Sequence, residues 1–163
     1  MTDINYGKMA KCHEYNEELI AKVYFKAAEK VTDPVIKGIF LFIAYDSEKH
    51  AQVFKELAEE YGIADFNSEE CSMYSGAAYG MRGLLMETLE KIEEAQNMDE
   101  VIGIVEHLES IESMLTELDR AVILKGLEDE CKRKLYERVL KYVEEDEHRH
   151  EEIIRDIYTD YKK

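Results

Sequence analysis

Two stretches of the chain, 100 residues apart, follow one pattern: residues 35–50 read VIKGIFLFIAYDSEKH and residues 135–150 read LYERVLKYVEEDEHRH. Each stretch is rich in apolar residues and ends in a similar five-residue sequence, DSEKH or DEHRH. An internal repeat predicts two related halves whose matching residues meet in the core. The matching pairs are Val35/Leu135, Ile39/Val139, Phe40/Leu140, Ile43/Val143 and His50/His150.

Apolar residues recur with helical spacing well beyond the repeat. At about 100° per residue they fall on one face of each long segment. This spacing predicts helices at about residues 3–31, 34–61, 98–125 and 131–160. For the third helix, the predicted inward residues are Ile104, Leu108, Ile111, Leu115, Leu118 and Val122. For the fourth helix they are Leu135, Val139, Leu140, Val143, Ile154 and Ile157.

Turn and capping residues separate these helices. Pro34 after Asp33 suits the first turn of the second helix, and Gly62 suits its end. Asn97 followed by Glu100 resembles an N-cap with its capping-box partner. These signals predict where the second helix begins and ends and where the third begins.

The predicted architecture is a single all-α domain over residues 1–163. A helical hairpin at about 3–61, a long crossover at about 63–96 and a second hairpin at about 98–161 together make a four-helix bundle. The crossover contains an amphipathic stretch from about residue 81 to 95. It could cover the bundle or form a homodimer interface.

Composition limits the class of protein. The chain is 45% hydrophobic and 36% charged, with a net charge of −16, which excludes nucleic acid and anionic membrane as expected partners. No signal peptide or long apolar run is evident, so we expect a soluble, cytoplasmic protein.

The three scattered cysteines, Cys12, Cys71 and Cys131, form no CxxC pair. We therefore expect small buried residues and not a disulfide framework.

Polar residues occupy inward positions on the second and fourth helices. His50 and His150 are in phase with the apolar faces, as are Ser47 and Glu147 one turn earlier. His148 points to solvent. Glu147 and His150 form a Glu-x-x-His pair, whose carboxylate and imidazole can reach one metal ion from one helix face.

The first and third helices also present acidic residues near their apolar faces. Glu17 lies beside the inward face of the first helix, whereas Glu14 is predicted to lie further toward solvent. Glu112 has a similar position on the third helix, and Glu109 is predicted to be less inward. His13 and Tyr24 also face inward, where core packing is the simpler role for each.

These residues together resemble the ferritin-like and rubrerythrin-like di-iron carboxylate proteins. The resemblance covers all four long helices and is most specific in DEHRH at residues 146–150. In that family each half supplies one Glu and one Glu-x-x-His pair, and the pair glutamates bridge two metal ions. The resemblance implies the ligands Glu17, His50, Glu112, Glu147 and His150. It also suggests that Asp46 and Asp146 hold the ligand imidazoles, with ordinary surface positions as the alternative.

The same resemblance implies a function. It suggests two iron ions, or one, with manganese or zinc as other metals, and a non-haem oxidoreductase acting on peroxide or O₂. A separate protein would have to donate the electrons, because the chain has no rubredoxin-like cysteine pairs. The alternatives are a non-catalytic protein that binds metal or handles iron, and a structural bundle with a degenerate site.

Ser47 departs from the family pattern. It stands where the first Glu-x-x-His pair would have its glutamate, which leaves three evident carboxylates for the charge of two divalent cations. Another carboxylate could approach, with Glu14, Asp46 and Asp119 as candidates. Otherwise an outside anion could bridge the ions, or one ion could bind near Glu147, His150 and Glu112.

Overall fold

The computed structural model describes residues 5–74 and 76–161, and all of their side chains except those of residues 77 and 112–120. Every regular element in these ranges is helical, as predicted. The α-helices are α1 (Tyr6–Lys30), α2 (Pro34–Glu60), α3 (Cys71–Tyr74), α4 (Gly76–Glu94), α5 (Met98–Ile123) and α6 (Glu130–Tyr161). Short 3₁₀ turns cover Ser68–Glu70 and Leu124–Gly126. The predicted start of the first helix at residue 3 lies outside the described residues.

Local signals set the ends of α2 as predicted. The Asp33 carboxylate accepts hydrogen bonds from the backbone N–H groups of Val35 at 2.8 Å and Ile36 at 3.0 Å. Pro34 occupies the first turn, where a missing N–H costs nothing. After the helix, Gly62 adopts a φ of 77°, a left-handed conformation that glycine reaches without strain.

The start of α5 also matches its predicted capping signal. The Asn97 side chain accepts from the backbone N–H of Glu100 at 3.0 Å. The Glu100 carboxylate in turn accepts from the backbone N–H of Gln96 at 2.8 Å. These bonds satisfy amide groups that have no partner within the helix.

The helices form a bundle of two hairpins. α1 packs along α2, and α5 packs against α6. α2 and α6 run antiparallel, since Lys132 contacts Glu60 near one end and Tyr161 contacts Asp33 near the other. The crossover helix α4 packs on α1 and α5, where it buries Met81, Leu85 and Ile92. The largest core cluster takes residues from α1, α2, α4, α5 and α6.

Two predicted apolar faces need correction. Leu135 and Val139 of α6 are 57% and 38% exposed, because α6 turns its inward face toward the bundle only from Leu140 onward. In α5, Leu108 is buried as predicted, but Ile104 is only partly buried. In the part of α5 before residue 112, the buried residues are Val101, Ile102, Val105, Leu108 and Glu109, which form a face rotated from the predicted one. The side chains of Leu115 and Leu118 lie outside the described residues. The α5 sequence has apolar residues on more than one side, so periodicity alone leaves its orientation ambiguous.

The cysteine prediction was right about the burial of Cys12 and Cys71 but wrong about the absence of a disulfide and about Cys131. Cys12 of α1 and Cys71 of α3 form a disulfide with a Cα–Cα distance of 5.7 Å, and both are buried. Their pairing depends on the path of the crossover, which the 59-residue separation in sequence does not reveal. Cys131 is a free, exposed cysteine and not a buried one.

Within the described part of the chain, no helix combines the length and apolarity needed to cross a membrane.

Candidate metal centre

Three buried side chains from three helices converge in the bundle core. Glu17 of α1, His50 of α2 and Glu147 of α6 each offer one ligand atom, and these atoms lie within 4.8 Å of one another. Nδ1 of His50 is 2.9 Å from Oε1 of Glu147 and 3.6 Å from Oε2 of Glu17. The group can hold a metal ion, and all three residues belong to the predicted ligand set.

The helical phase of each residue explains this convergence. His50 shares its face of α2 with Ile43 and Phe54, both fully buried in the core. Glu17 lies one turn before Ile20 and Ala21, which are also buried. The apolar neighbours that form the helix contacts therefore carry the carboxylate and imidazole groups inward with them.

A proton on His50 stabilises the cluster in the absence of a metal ion. Burial lowers the pKa of His50, but contacts with Glu147 and Glu17 outweigh this effect and raise the pKa to about 9. At neutral pH an imidazolium therefore lies between two carboxylates. A cation at this place would replace that proton, since ligand histidines bind metals in the neutral form.

The two aspartates of the repeated sequences contact histidines across the bundle. Nε2–H of His50 donates to Oδ2 of Asp146 at 3.1 Å, and Nε2–H of His150 donates to Oδ2 of Asp46 at 3.0 Å. Each aspartate thus holds the histidine of the opposite helix. For His50, this bond occupies Nε2 and fixes the ring orientation, so that Nδ1 faces Glu17 and Glu147.

His150 lies beside the cluster. Its Nδ1 is 4.0 Å from Oε2 of Glu147, and its ring centroid is 6.2 Å from that of His50. The carboxylate of Glu147 therefore has one oxygen near each imidazole. The neighbouring His148 is exposed, as its helical phase predicts.

In the described part of α5, the acidic residue that is buried is Glu109. Glu109 is 2% exposed, whereas sequence analysis predicted it to be less inward. Burial raises its pKa well above the usual range, and the negative charge of Glu147 adds to this effect. Tyr24 of α1 donates a hydrogen bond to its Oε1. The side chain of Glu112, the predicted α5 ligand, lies outside the described residues.

Ser47 is buried, and its hydroxyl group forms a hydrogen bond with the backbone of its own helix. Its Oγ donates to the carbonyl of Ile43 at 3.1 Å, one turn earlier in α2. A serine in this position provides no carboxylate to bridge two ions. Among the described side chains, Glu17 and Glu147 act on Nδ1 of His50, and Asp146 lies at the opposite ring nitrogen. The negative charges of Glu147, Glu151 and Glu17 act on Glu109.

The candidates for a fourth carboxylate have other contacts. Glu14 is buried, not turned toward solvent as predicted, and its Oε2 lies 2.6 Å from Nζ of Lys11. Asp46 contacts His150 and Lys49. The side chain of Asp119 lies outside the described residues. His13 is buried as predicted and stacks on Phe54 with ring centroids 5.1 Å apart.

Comparisons of the chain with protein-family models, with curated proteins and with solved structures find no match.

Proposed function

We propose that the protein is a ferritin-like metal-binding protein and that its bundle core holds iron. The observation that carries this proposal is the buried Glu17–His50–Glu147 group, with one ligand atom from each residue within 4.8 Å of the others. Two buried carboxylates facing one imidazole form a donor set suited to Fe²⁺, Mn²⁺ or Zn²⁺. The long crossover between α2 and α5, together with the antiparallel packing of α2 and α6, is compatible with a ferritin-like topology.

The ligands of a first ion would be Glu17, His50 and Glu147. A second ion would use His150, the other oxygen of Glu147 and an acid of α5. Glu109 is the α5 acid whose burial and interaction with Glu147 support this role. Glu147 would then bridge the two ions, as the resemblance to di-iron carboxylate proteins implies.

The activity that best fits this centre is reduction of peroxide or O₂. Bound ferrous iron would supply the electrons, and a separate donor protein would replace them. The chain itself excludes water from the centre through apolar walls that include Ile43 and Phe54. Tyr24, whose phenol donates a hydrogen bond to Glu109, would hold a proton beside the ions.

A second candidate function is metal binding without turnover. Ser47 favours this alternative, because it leaves Glu17, Glu109 and Glu147 to balance the charge of two divalent cations in a buried site. A single ion in the Glu17–His50–Glu147 group needs no fourth carboxylate.

Metal stoichiometry tests the proposal. The protein is loaded anaerobically with Fe²⁺, desalted and assayed for iron per chain, next to Glu147→Gln and an exposed control, Glu145→Gln. We expect iron in the wild type and in the control, and loss of iron in Glu147→Gln. Peroxide turnover by the loaded protein then separates an oxidoreductase from a binding protein. No iron in a folded wild type would overturn the proposal and leave a structural bundle.

The cytoplasmic location stays a prediction. The Cys12–Cys71 disulfide counts against it, since disulfides persist mainly in oxidising compartments. Trapping free thiols in intact cells before lysis would show whether the two cysteines are reduced there.

A further inference from the structure

Lys49 of α2 contacts both of the aspartates that hold the histidines. Its Nζ lies 2.7 Å from Oδ1 of Asp46 and 3.1 Å from Oδ2 of Asp146. The latter oxygen also accepts from His50, and Asp46 accepts from His150. The contacts form one continuous chain, His50–Asp146–Lys49–Asp46–His150, that links the two imidazoles through a single ammonium group.

The link joins two largely buried carboxylates through one cation that water also reaches. The side chains of Asp46 and Asp146 are only 15% and 11% exposed, whereas the side chain of Lys49 is 57% exposed. Each aspartate therefore lies within ion-pair distance of the Lys49 ammonium group and accepts a hydrogen bond from one histidine.

The repeat supplies a matched comparison residue. Arg149 occupies the position of α6 that Lys49 occupies in α2, and it forms an ion pair with Asp146 on its own helix. Of these two residues, Lys49 is the one that contacts both aspartates. Loss of Arg149 should therefore affect the Asp146–His50 pair, whereas loss of Lys49 should affect both pairs.

We propose that Lys49 is a positioning residue that orients both ligand histidines at once and thereby couples the two halves of the metal centre. Its ammonium group holds the two aspartates together, and each aspartate fixes one imidazole. This inference rests on the proposed metal centre for its effect on metal affinity, but the coupling of the two histidines can be measured in the metal-free protein.

The test compares Lys49→Met with Arg149→Met, with Lys49→Arg as the conservative variant and the exposed Lys141→Met as the control. In metal-free protein, the imidazole ¹⁵N signals of His50 and His150 are recorded by NMR. We expect Lys49→Met to shift the signals of both histidines and Arg149→Met to shift those of His50. Lys49→Arg should retain the wild-type signals, and Lys141→Met should change neither histidine.

The second readout is affinity for Co²⁺, followed by its visible absorption during competition with a chelator. Loss of a group bonded directly to a metal ligand typically weakens binding about 10- to 100-fold. Because Lys49 acts through the aspartates, we expect a loss at the low end of this range, about 10-fold, for Lys49→Met and recovery in Lys49→Arg. Thermal unfolding checks that each variant is folded.

The histidine NMR signals and the metal affinity test different parts of the proposal. If Lys49→Met leaves either histidine signal in place, the coupling is refuted even when the protein binds metal. If the signals shift as expected but the wild type binds no metal, the coupling stands and the proposed function is refuted. Equal shifts from Arg149→Met and Lys49→Met at both histidines would also overturn the special role of Lys49.

Discussion

The phenol of Tyr24 in α1 donates a hydrogen bond to the buried carboxyl group of Glu109 in α5. This contact joins the first hairpin to the second beside the candidate metal centre. Both side chains are almost completely buried, so water is a poor substitute for either partner. Tyr24 is therefore more than a core aromatic residue, which was its simpler interpretation from sequence.

Tyr24→Phe should destabilise the protein without leaving a large cavity. The substitution removes the hydroxyl group and leaves Glu109 buried without this donor, a change that typically costs about 1–3 kcal/mol. Urea unfolding of the metal-free protein measures the loss in free energy. Tyr142→Phe serves as the control, because Tyr142 is exposed. Equal stability of Tyr24→Phe and wild type would show that the hydrogen bond contributes little.

Ser47→Glu should raise metal occupancy. The new carboxylate would complete a second Glu-x-x-His pair with His50 and supply the negative charge that a second divalent cation needs. We expect iron per chain to rise toward two after anaerobic loading. The control is Ser47→Gln, because glutamine has nearly the same shape and volume as glutamate but carries no charge. Unchanged occupancy in Ser47→Glu would mean that the missing carboxylate is not what limits binding.

The metal-free protein should lose stability as pH rises from 6 to 9. The pKa of His50 is raised from 6.5 to about 9, so its contribution is complete below pH 6.5 and disappears as pH passes about 9. The raised pKa of Glu109 acts in the same direction, because its neutral form is favoured in the folded state. Urea unfolding at several pH values measures this slope. In His50→Gln the slope should be smaller, and a wild-type stability that increases over this range would contradict the assignment.

Removal of the Cys12–Cys71 disulfide should destabilise the fold. A native disulfide that closes a loop of this length typically contributes about 2–4 kcal/mol, largely through the unfolded chain. We expect the double variant Cys12→Ala/Cys71→Ala to unfold at lower urea concentration than wild type under oxidising conditions. Cys131→Ala is the control, because Cys131 is exposed and free. If a reducing agent does not lower wild-type stability toward that of the double variant, the disulfide is not formed in solution.

Helix positions followed well from the sequence because their signals are local. Asn97 caps the helix that it was predicted to cap, Pro34 lies in the first turn of α2 as predicted, and Gly62 follows the end of α2. The inward positions of Glu17 and His50 also followed from periodicity, since each lies within a strongly amphipathic helix. These features depend on residues only a few positions apart.

The features that sequence analysis missed depend on contacts between distant segments. The cysteine pairing requires the path of the crossover from α2 to α3. The burial of Glu109 depends on how α5 is rotated between α1, α4 and α6, which an apolar helix with several hydrophobic sides does not specify. The ion pairs of Lys49 with two aspartates depend on the close approach of α2 and α6.

The disulfide divides the centre into two unequal parts. The covalent ring that it closes runs from Cys12 to Cys71 and includes Glu17, Asp46 and His50, whereas Glu109, Glu147 and His150 lie in the chain beyond it. In the oxidised unfolded chain, the ring keeps Glu17 and His50 within a limited distance of each other, but it places no such restriction on the remaining groups. Completion of the candidate metal centre therefore depends on the docking of α5 and α6, and the arrival of Glu147 at His50 would report that docking step during refolding.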